Sequence, residues 1–381
     1  MIYKDPLYGP WVLPTYLKEL LHTKETLRTR GIAQASSPAH LLTFVARNRV
    51  QHGLGVARLM AEVVKHNRCD LDEELMVSSA FLHDFGNTPF SHLCEDFLQE
   101  MIGKNGETFL ENILDCSETE KVLAGFGVAS RDVVKIVAGQ AKPMSDVLNG
   151  DIDVDNLDNI LGFNKFAAVE APAYDALGIA GSFRFMDGHW LLLGDCYADV
   201  QKWQIARRAA YMDVVYSSPH YNGISMLYRA VELALYEGEI SPEFFRFSDI
   251  EAISYLMTCN PRTIELVDKM SRWKWYPEVA SWEIKEPSRF VAKIAACTHR
   301  RRKLLDEICG TLGIAPEKIC LAMQRGVETK RIKTPFLVEC GRKLQGTKFE
   351  RPPLRVRVFV SPEWQFKKPE IEAIISNNFH I

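Results

Sequence analysis

The sequence predicts an all-α, mainly helical chain with small β-hairpin and strand additions, and three observations predict it. Residues 50–67 place Val50, Leu54, Val56, Ala57, Met60, Ala61 and Val64 on one face at helical spacing. Residues 72–85, DEELMVSSAFLHDF, open with the acidic residues that a helix N-terminus favours. Hairpin or period-two patterning is confined to residues 181–195 and Leu354–Val360.

Taken in order, the first 35 residues combine an extended, Pro-rich start with a helix-like run carrying Leu17, Leu20, Leu21 and Leu27. Gly86-Asn87-Thr88-Pro89 ends the helix over 72–85, and another starts near Phe90 or Ser91. Short helices are expected over 108–115, 117–124 and 130–139, and one from Asp153 to Phe163. Asp187-Gly188 between two β-rich runs is a hairpin turn signal. Helix resumes over 200–237 with Pro219 as an interruption, over 248–270 and over 287–310. The chain divides on this reading into a core, residues 1–240, and a helical C-terminal subdomain, residues 241–381, that ends in a short β-containing basic tail.

Composition narrows the classes. The 381 residues are 47% apolar and 25% charged, which excludes collagen-like, disordered and disulfide-scaffold chains. The net charge of −3 argues against a chain coated in positive charge for nucleic acid. No apolar run reaches the length of a membrane span, and the start lacks the pattern of a signal peptide. The nine cysteines are scattered and form no CxxC, which fits a reducing cytoplasm. No GxxxxGK[ST] or GxGxxG is present, so P-loop and Rossmann chemistry are excluded. No cysteine shares a motif with a histidine, which argues against thiol catalysis.

His83-Asp84 carries the chemistry. The pair closes an apolar helix beside a Gly/Pro break. With His52 on the preceding helix and a carboxylate from the run Asp151 to Asp155, it supplies two imidazoles and two carboxylates, a set suited to a divalent metal with positions left for water and a phosphate oxygen. The same residues also fit a core His83 bonded to Asp84, with His52 and the acidic run solvated.

The wider pattern is similar to the HD-domain superfamily of metal-dependent phosphohydrolases, and within it to the deoxynucleoside triphosphate triphosphohydrolases. The likeness rests on KDPLYGPWVLP, on RNRVQHGLGV (R-x-x-H), on FLHDFGNTPFSH (H-D-x-G-H-x-P-F-S-H), on GDIDVDNLDNI (I-D-V-D-x-x-D-Y) and on RRAAYMDVVYSSPHY (R-x-x-x-Y-x-x-V-Y). It spans roughly residues 3–235 and implies an all-helical HD core. It implies His52, His83, Asp84 and Asp155 as metal ligands, with Asp155 preferred to Asp153. It gives Arg49 a phosphate oxygen to hold, Arg208 and Tyr216 places in the nucleotide pocket, and His92 and Glu95 the roles of a catalytic histidine and the acid that orients it. His92 is then the one pocket histidine outside the metal shell, and the absence of further histidines between Asp84 and Asp155 favours a single metal.

The chain also departs from that pattern. Asn87 replaces the second histidine of H-D-x-G-H, and Gly106 stands in KNGET where the family has a histidine. Asn159 replaces the tyrosine of D-Y and is a substrate-facing position, and Phe163 replaces an aspartate that contacts the sugar. The resemblance implies one divalent ion per subunit (Mn²⁺, Fe²⁺, Ni²⁺ or Zn²⁺, with Mg²⁺ less natural), a nucleotide substrate and a homo-oligomer. The expected reaction is conversion of a (deoxy)nucleoside triphosphate to nucleoside and tripolyphosphate. The alternatives are another phosphate ester, or a catalytically weak nucleotide-binding regulator.

Thr298-His299-Arg300-Arg301-Arg302-Lys303 is expected near the end of a helix, where positive charge complements the dipole. The tail concentrates Lys330, Arg331, Lys333, Arg342, Lys343, Lys348, Arg351, Arg355 and Arg357, a place for an allosteric nucleotide, nucleic acid or an acidic subunit face. Trp273, Trp275 and Trp282 are expected in the core or an interface.

Overall fold

The extended start of the chain pairs with itself. Ile2–Asp5 (β1) and Gly9–Val12 (β2) form an antiparallel hairpin, and Asp5 closes its turn by accepting from the Leu7 and Tyr8 amides. The computed structural model describes residues 1–35, 47–67, 71–337, 343–344 and 351–379. Thr15–Leu20 (α1) and Lys24–Arg30 (α2) follow.

Asn48 then starts Arg49–Lys65 (α3) through a reciprocal capping box with Gln51. Asp72 caps Glu73–Leu82 (α4). The two helices form a hairpin, so the first turn of α3 lies beside the last turn of α4. After a 3₁₀ turn at Ser91–Cys94 come Glu95–Ile102 (α5), Gly106–Leu114 (α6), Glu118–Gly125 (α7), Ser130–Val137 (α8) and Asp146–Asn149 (α9). Val154–Phe166 (α10) packs across α3.

Ala176–Gly181 (α11) leads into the expected hairpin, Phe183–Met186 (β3) with His189–Leu193 (β4), turning at Asp187-Gly188. Tyr197–Ala210 (α12) runs into a π-helical turn, Tyr211–Val215. Ser218–Tyr236 (α13) holds Pro219 in its first turn. Proline there lacks only an amide hydrogen that no helix bond would use, so the expected interruption falls just before it, where this helix starts.

The stretch expected as one helix over 248–270 is two, Asp249–Leu256 (α14) and Pro261–Ser271 (α15). Glu278–Ile284 (β5) follows. The stretch 287–310 is also two helices, Arg289–Ala295 (α16) and Thr298–Leu312 (α17). The basic cluster from Thr298 to Lys303 therefore begins a helix instead of ending one. Two of its charges have partners: Arg301 pairs with Asp96 and bonds the Tyr228 hydroxyl, and Arg302 stacks on Tyr236. Ile319–Arg325 (β6), Phe336–Leu337 (β7), Lys343–Leu344 (β8), Leu354–Val360 (β9) and Lys368–Phe379 (α18) complete the order.

β9, read from its alternation, is the centre of an antiparallel sheet ordered β5-β9-β6. Its arginines point to acids: Arg355 bonds Glu328 and Glu283, and Arg357 lies by Glu278. Arg342 and Lys348 of the basic tail lie outside the described residues. β3, β4, β7 and β8 form a second sheet.

Three apolar clusters hold the molecule. The first joins α1, α3, α4, α8, α10 and α12. The second joins α5, α6, α13, α14 and α15, so it crosses the boundary expected at residue 240. The third packs α16, α17 and α18 on the β5-β9-β6 sheet and takes in Trp282. Trp273, by contrast, is 52% exposed and stacks on Trp275. Buried Asp249 ties the first two clusters, accepting from the Ala33 and Phe90 amides at 2.9 and 2.7 Å. No described helix is long and apolar enough to cross a membrane.

Candidate metal centre

His52 lies in the first turn of α3 and His83 caps the end of α4, so the helical hairpin brings the two rings to 5.0 Å. α10 crosses at the same end. Asp155 and Asp158, three apart on its first turns, share a face and grip His52 from both sides. His52 Nδ1 is 2.6 Å from Asp158 Oδ2, and its Nε2 is 2.9 Å from Asp155 Oδ1. Asp158 is itself fully buried, receives Arg47 at 2.6 and 3.0 Å on its two oxygens, and accepts the Tyr8 hydroxyl at 2.9 Å. This network fixes the plane of the His52 ring, as an orienting carboxylate does behind a metal-bound histidine.

Close approach makes the network possible. A Cβ on Gly55 of α3 would meet Asp158 Oδ1 at 1.9 Å and Arg47 Nη2 at 2.7 Å. Gly55→Ala is therefore expected to lower stability by about 1–3 kcal/mol, the range for overpacking a tight site. Urea unfolding measures it; an unchanged midpoint would contradict the packing described.

Ligand atoms of His52, His83 and Asp155 lie within 4.8 Å of one another. Asp84 Oδ2 reaches into the same space, 3.5 Å from His52 Nε2 and 3.3 Å from His83 Nε2. His83 tests the fit of a metal. Its Nδ1 is 2.8 Å from the Ala80 carbonyl, an acceptor only, so that nitrogen carries the hydrogen. Its buried Nε2 has no hydrogen-bond partner. In the neutral ring that atom is a lone pair facing carboxylates, an arrangement that a proton on the nitrogen or a metal ion between the groups stabilises. Burial pulls the His83 imidazole toward neutrality, but Asp84 and Asp155 outweigh it and hold it well above the ordinary range. Burial likewise opposes ionisation of Asp84 and Asp155. Arg49 and His83 hold Asp84 well below the usual carboxylate range, and His52 and His83, 2.9 and 3.7 Å away, do the same for Asp155. The donor set fits a divalent transition ion. Asp153 faces elsewhere: it caps α10 and pairs with Lys330 at 2.6 Å.

His83, Asp84 and Asp155 floor a cavity of about 310 Å³, with His52 buried behind them. Arg49 lines it, with Nη1 2.6 Å from Asp84 Oδ2 and Nε 2.9 Å from Ser91 Oγ. His92 and Glu95 form a pair on its wall, Nδ1 to Oε1 3.0 Å. The Glu95 charge raises His92, whose side chain is 58% exposed, above its ordinary value. Asn159 also lines the cavity and accepts from Gln34 Nε2 at 2.8 Å. The two positions where the resemblance leads one to expect histidine are neighbours: a Cβ on Gly106 would meet Glu95 Oε1 at 2.8 Å and Asn87 Oδ1 at 2.9 Å. Asn87 instead donates to Asp84 Oδ1 at 2.8 Å.

Arg208 is exposed on α12 and does not line the cavity. Arg207 is the buried one; it stacks on Tyr211, which lines the cavity, and bonds Asn156 and the Val327 carbonyl. Tyr216 is buried below Arg355 and bonds Glu328. The π-helical turn at Tyr211–Val215 explains the difference. It absorbs one extra residue, so counting back from Val215-Tyr216 lands one position past the inward-facing arginine. His220 is a second cavity histidine outside the metal group, and burial lowers it to about 4, so it stays neutral. Its signal, Pro-His-Tyr at a helix start, carries no metal or catalytic spacing.

An HD-domain family pattern matches residues 49–161. The chain is 29% identical over 191 residues to an uncharacterised protein, YwfO, of Bacillus subtilis, covering 46% of this chain and 42% of that one. It is 19% identical over 187 residues to the deoxynucleoside triphosphate triphosphohydrolase SAMHD1 homolog of Dictyostelium discoideum, covering 45% of this chain and 36% of that one. With the Xenopus laevis SAMHD1 the identity is 32% over 100 residues, 24% of this chain and 16% of that one. The chain thus matches about half or less of the length of these relatives. A hypothetical protein from Aquifex aeolicus shares the fold, with a TM-score of 0.73 at 18% identity over 97% of this chain and 99% of that one.

Proposed function

We propose, from the match of an HD-domain family pattern to residues 49–161, that the protein is a metal-dependent phosphohydrolase acting on a nucleotide. The supporting observation is the unpaired His83 Nε2 among His52, Asp84 and Asp155, on the floor of a cavity that Arg49 and His92 also line. His52, His83, Asp84 and Asp155 would hold the ion. When bound, a divalent ion supplies Lewis acidity at a phosphoryl oxygen and lowers the pKa of water.

The chain's own residues do the rest. Arg49 presents a guanidinium toward the phosphoryl group and is held there by Asp84 and Ser91. As the oxygen of water bonds to phosphorus and the P–O bond to the leaving group breaks, the leaving oxygen takes a proton from the His92 imidazolium. Glu95 keeps that ring charged and oriented. The named dNTP triphosphohydrolases among the relatives support a deoxynucleoside triphosphate as substrate, with nucleoside and tripolyphosphate as products. One observation favours the second reading, an ester with fewer phosphates: among the described lining residues the one guanidinium, Arg49, faces four carboxylates, Asp84, Glu95, Glu107 and Asp155.

Mass spectrometry of products from pooled dNTPs, NTPs and nucleoside mono- and diphosphates with Mn²⁺ separates the readings. Tripolyphosphate with nucleoside supports the first, and orthophosphate or a nucleotide product the second. No cleavage of any nucleotide would overturn both.

His92 must be protonated to act, so the rate is expected to fall as pH rises through its raised pKa. Glu95→Gln removes the largest cause of the rise, so the alkaline limb of kcat should move to lower pH. A limb that stays in place would remove His92 from the role of acid.

A further inference from the structure

The segment from Phe85 to His92 links the metal group to the His92–Glu95 pair, and its last turn is strained. Phe90 and Ser91 take φ of 61° and 56°, the left-handed region, and neither is glycine. Such a turn persists only where its surroundings hold it. The holder lies far along the chain, outside the residues that the HD-domain pattern matches. Asp249, the first residue of α14, is 2% exposed and presents both carboxylate oxygens to the backbone. Oδ1 accepts from the Phe90 amide at 2.7 Å and Oδ2 from the Ala33 amide at 2.9 Å. Ser91 Oγ donates to the Ala33 carbonyl at 2.6 Å, which closes a ring of hydrogen bonds around the turn. With its hydrogen spent there, the Ser91 hydroxyl faces Arg49 Nε as an acceptor, at 2.9 Å. Arg28 secures the start of the same segment, donating to the Phe85 and Asn87 carbonyls at 2.9 and 2.5 Å. Burial raises the Asp249 carboxyl to about 6, against the Ala33 and Phe90 amides and the Arg49 and Arg28 charges, so it is ionised at neutral pH.

We propose that Asp249 is a positioning residue for the site: by holding the Phe90-Ser91 turn it keeps the Ser91 hydroxyl on Arg49, and so fixes the guanidinium toward the phosphoryl group. The inference deepens the phosphohydrolase reading and rests on it. The isosteric amide shows why a carboxylate is needed. Asparagine offers an acceptor on one side only, and its NH₂ would face a backbone N–H on the other. One amide then loses its partner, the ring opens, and the Ser91 hydroxyl is free to turn from Arg49. His52, His83, Asp84 and Asp155 are not members of the ring, so their hold on a metal should not change.

Binding to the intact protein tests this without turnover, with Mn²⁺ added first and inorganic phosphate second. Calorimetry is expected to show that Asp249→Asn binds Mn²⁺ as the wild type does and phosphate about tenfold or more weaker. Ser91→Ala should weaken phosphate to a similar extent. The double variant should be no weaker than Asp249→Asn alone, because both changes break one path. Intact Mn²⁺ binding also shows that each variant is folded; if Asp249→Asn does not fold, Asp249→Ser, which likewise keeps an acceptor on one side, takes its place. A purely structural role predicts a lower melting temperature with unchanged phosphate affinity, and that result overturns the inference. So do additive losses in the double variant, and a wild type that binds no phosphate. Failure of the phosphohydrolase reading is seen separately, as absent P–O cleavage in the product assay while phosphate binding still follows Asp249.

Discussion

Asp155→Ala is expected to reduce turnover of the phosphate ester at least about a thousandfold, or roughly 4 kcal/mol at 1.36 kcal/mol per decade. Asp155 touches His52 at 2.9 Å and stands 3.7 Å from His83, so its removal opens the ligand group that both imidazoles depend on. The loss should appear in kcat and in metal content together. Its position explains why stability should hold: the side chain is one-third exposed and lies in the first turn of α10. A variant that keeps its metal and more than a tenth of its turnover would contradict the ligand assignment.

Asp158→Ala is expected to have the largest effect on folding, about 3–5 kcal/mol, because it breaks a buried ion pair from one side. The Arg47 side chain is 2% exposed, and among the described residues Asp158 is its one salt-bridge partner. The variant would also free the Tyr8 hydroxyl and His52 Nδ1. Burial raises the Asp158 carboxyl, but Arg47 and the bond to His52 outweigh it, so its folded pKa lies below the ordinary value. That sign gives a pH window. The contribution is complete above the unfolded-state pKa of about 3.9 and is lost as pH falls through the folded value. Urea unfolding of wild type and variant at pH 7 and in acid reads it: the gap should narrow at the lower pH. A gap below 1 kcal/mol at neutral pH would mean that Arg47 finds another partner.

Much of this was legible in the sequence. Apolar spacing marked α3, the acidic first turn marked α4, Asp-Gly marked the β3–β4 turn, and alternation marked β9. The gathering of His52, His83 and Asp155 was legible because R-x-x-H, H-D and D-V-D each keep one of them at a helix end, where a short local pattern survives. What was not legible depended on long-range packing. β6, ICLAMQR, has a partly buried residue on both faces and no clean alternation, so it is a strand only beside β9. α16 and α17 part at Ala296-Cys297 with neither glycine nor proline to signal a break. The Arg207–Tyr211 pair was hidden by the π-helical turn, which changes the register by one residue without leaving a mark in composition. Asp158 stands in the D-x-x-D-Y match, but its tie to His52 and Arg47 exists only once α10 lies across α3.

The central claim is that His52, His83, Asp84 and Asp155 hold a divalent ion on which hydrolysis depends. Its most direct test is titration of metal into chelator-treated protein while ester cleavage is followed. The account predicts no turnover at zero metal, a linear rise to a plateau at about one Mn²⁺ per chain, and neither binding nor turnover in His83→Ala. Full turnover in the chelator, or a plateau that His83→Ala reaches as the wild type does, would contradict it.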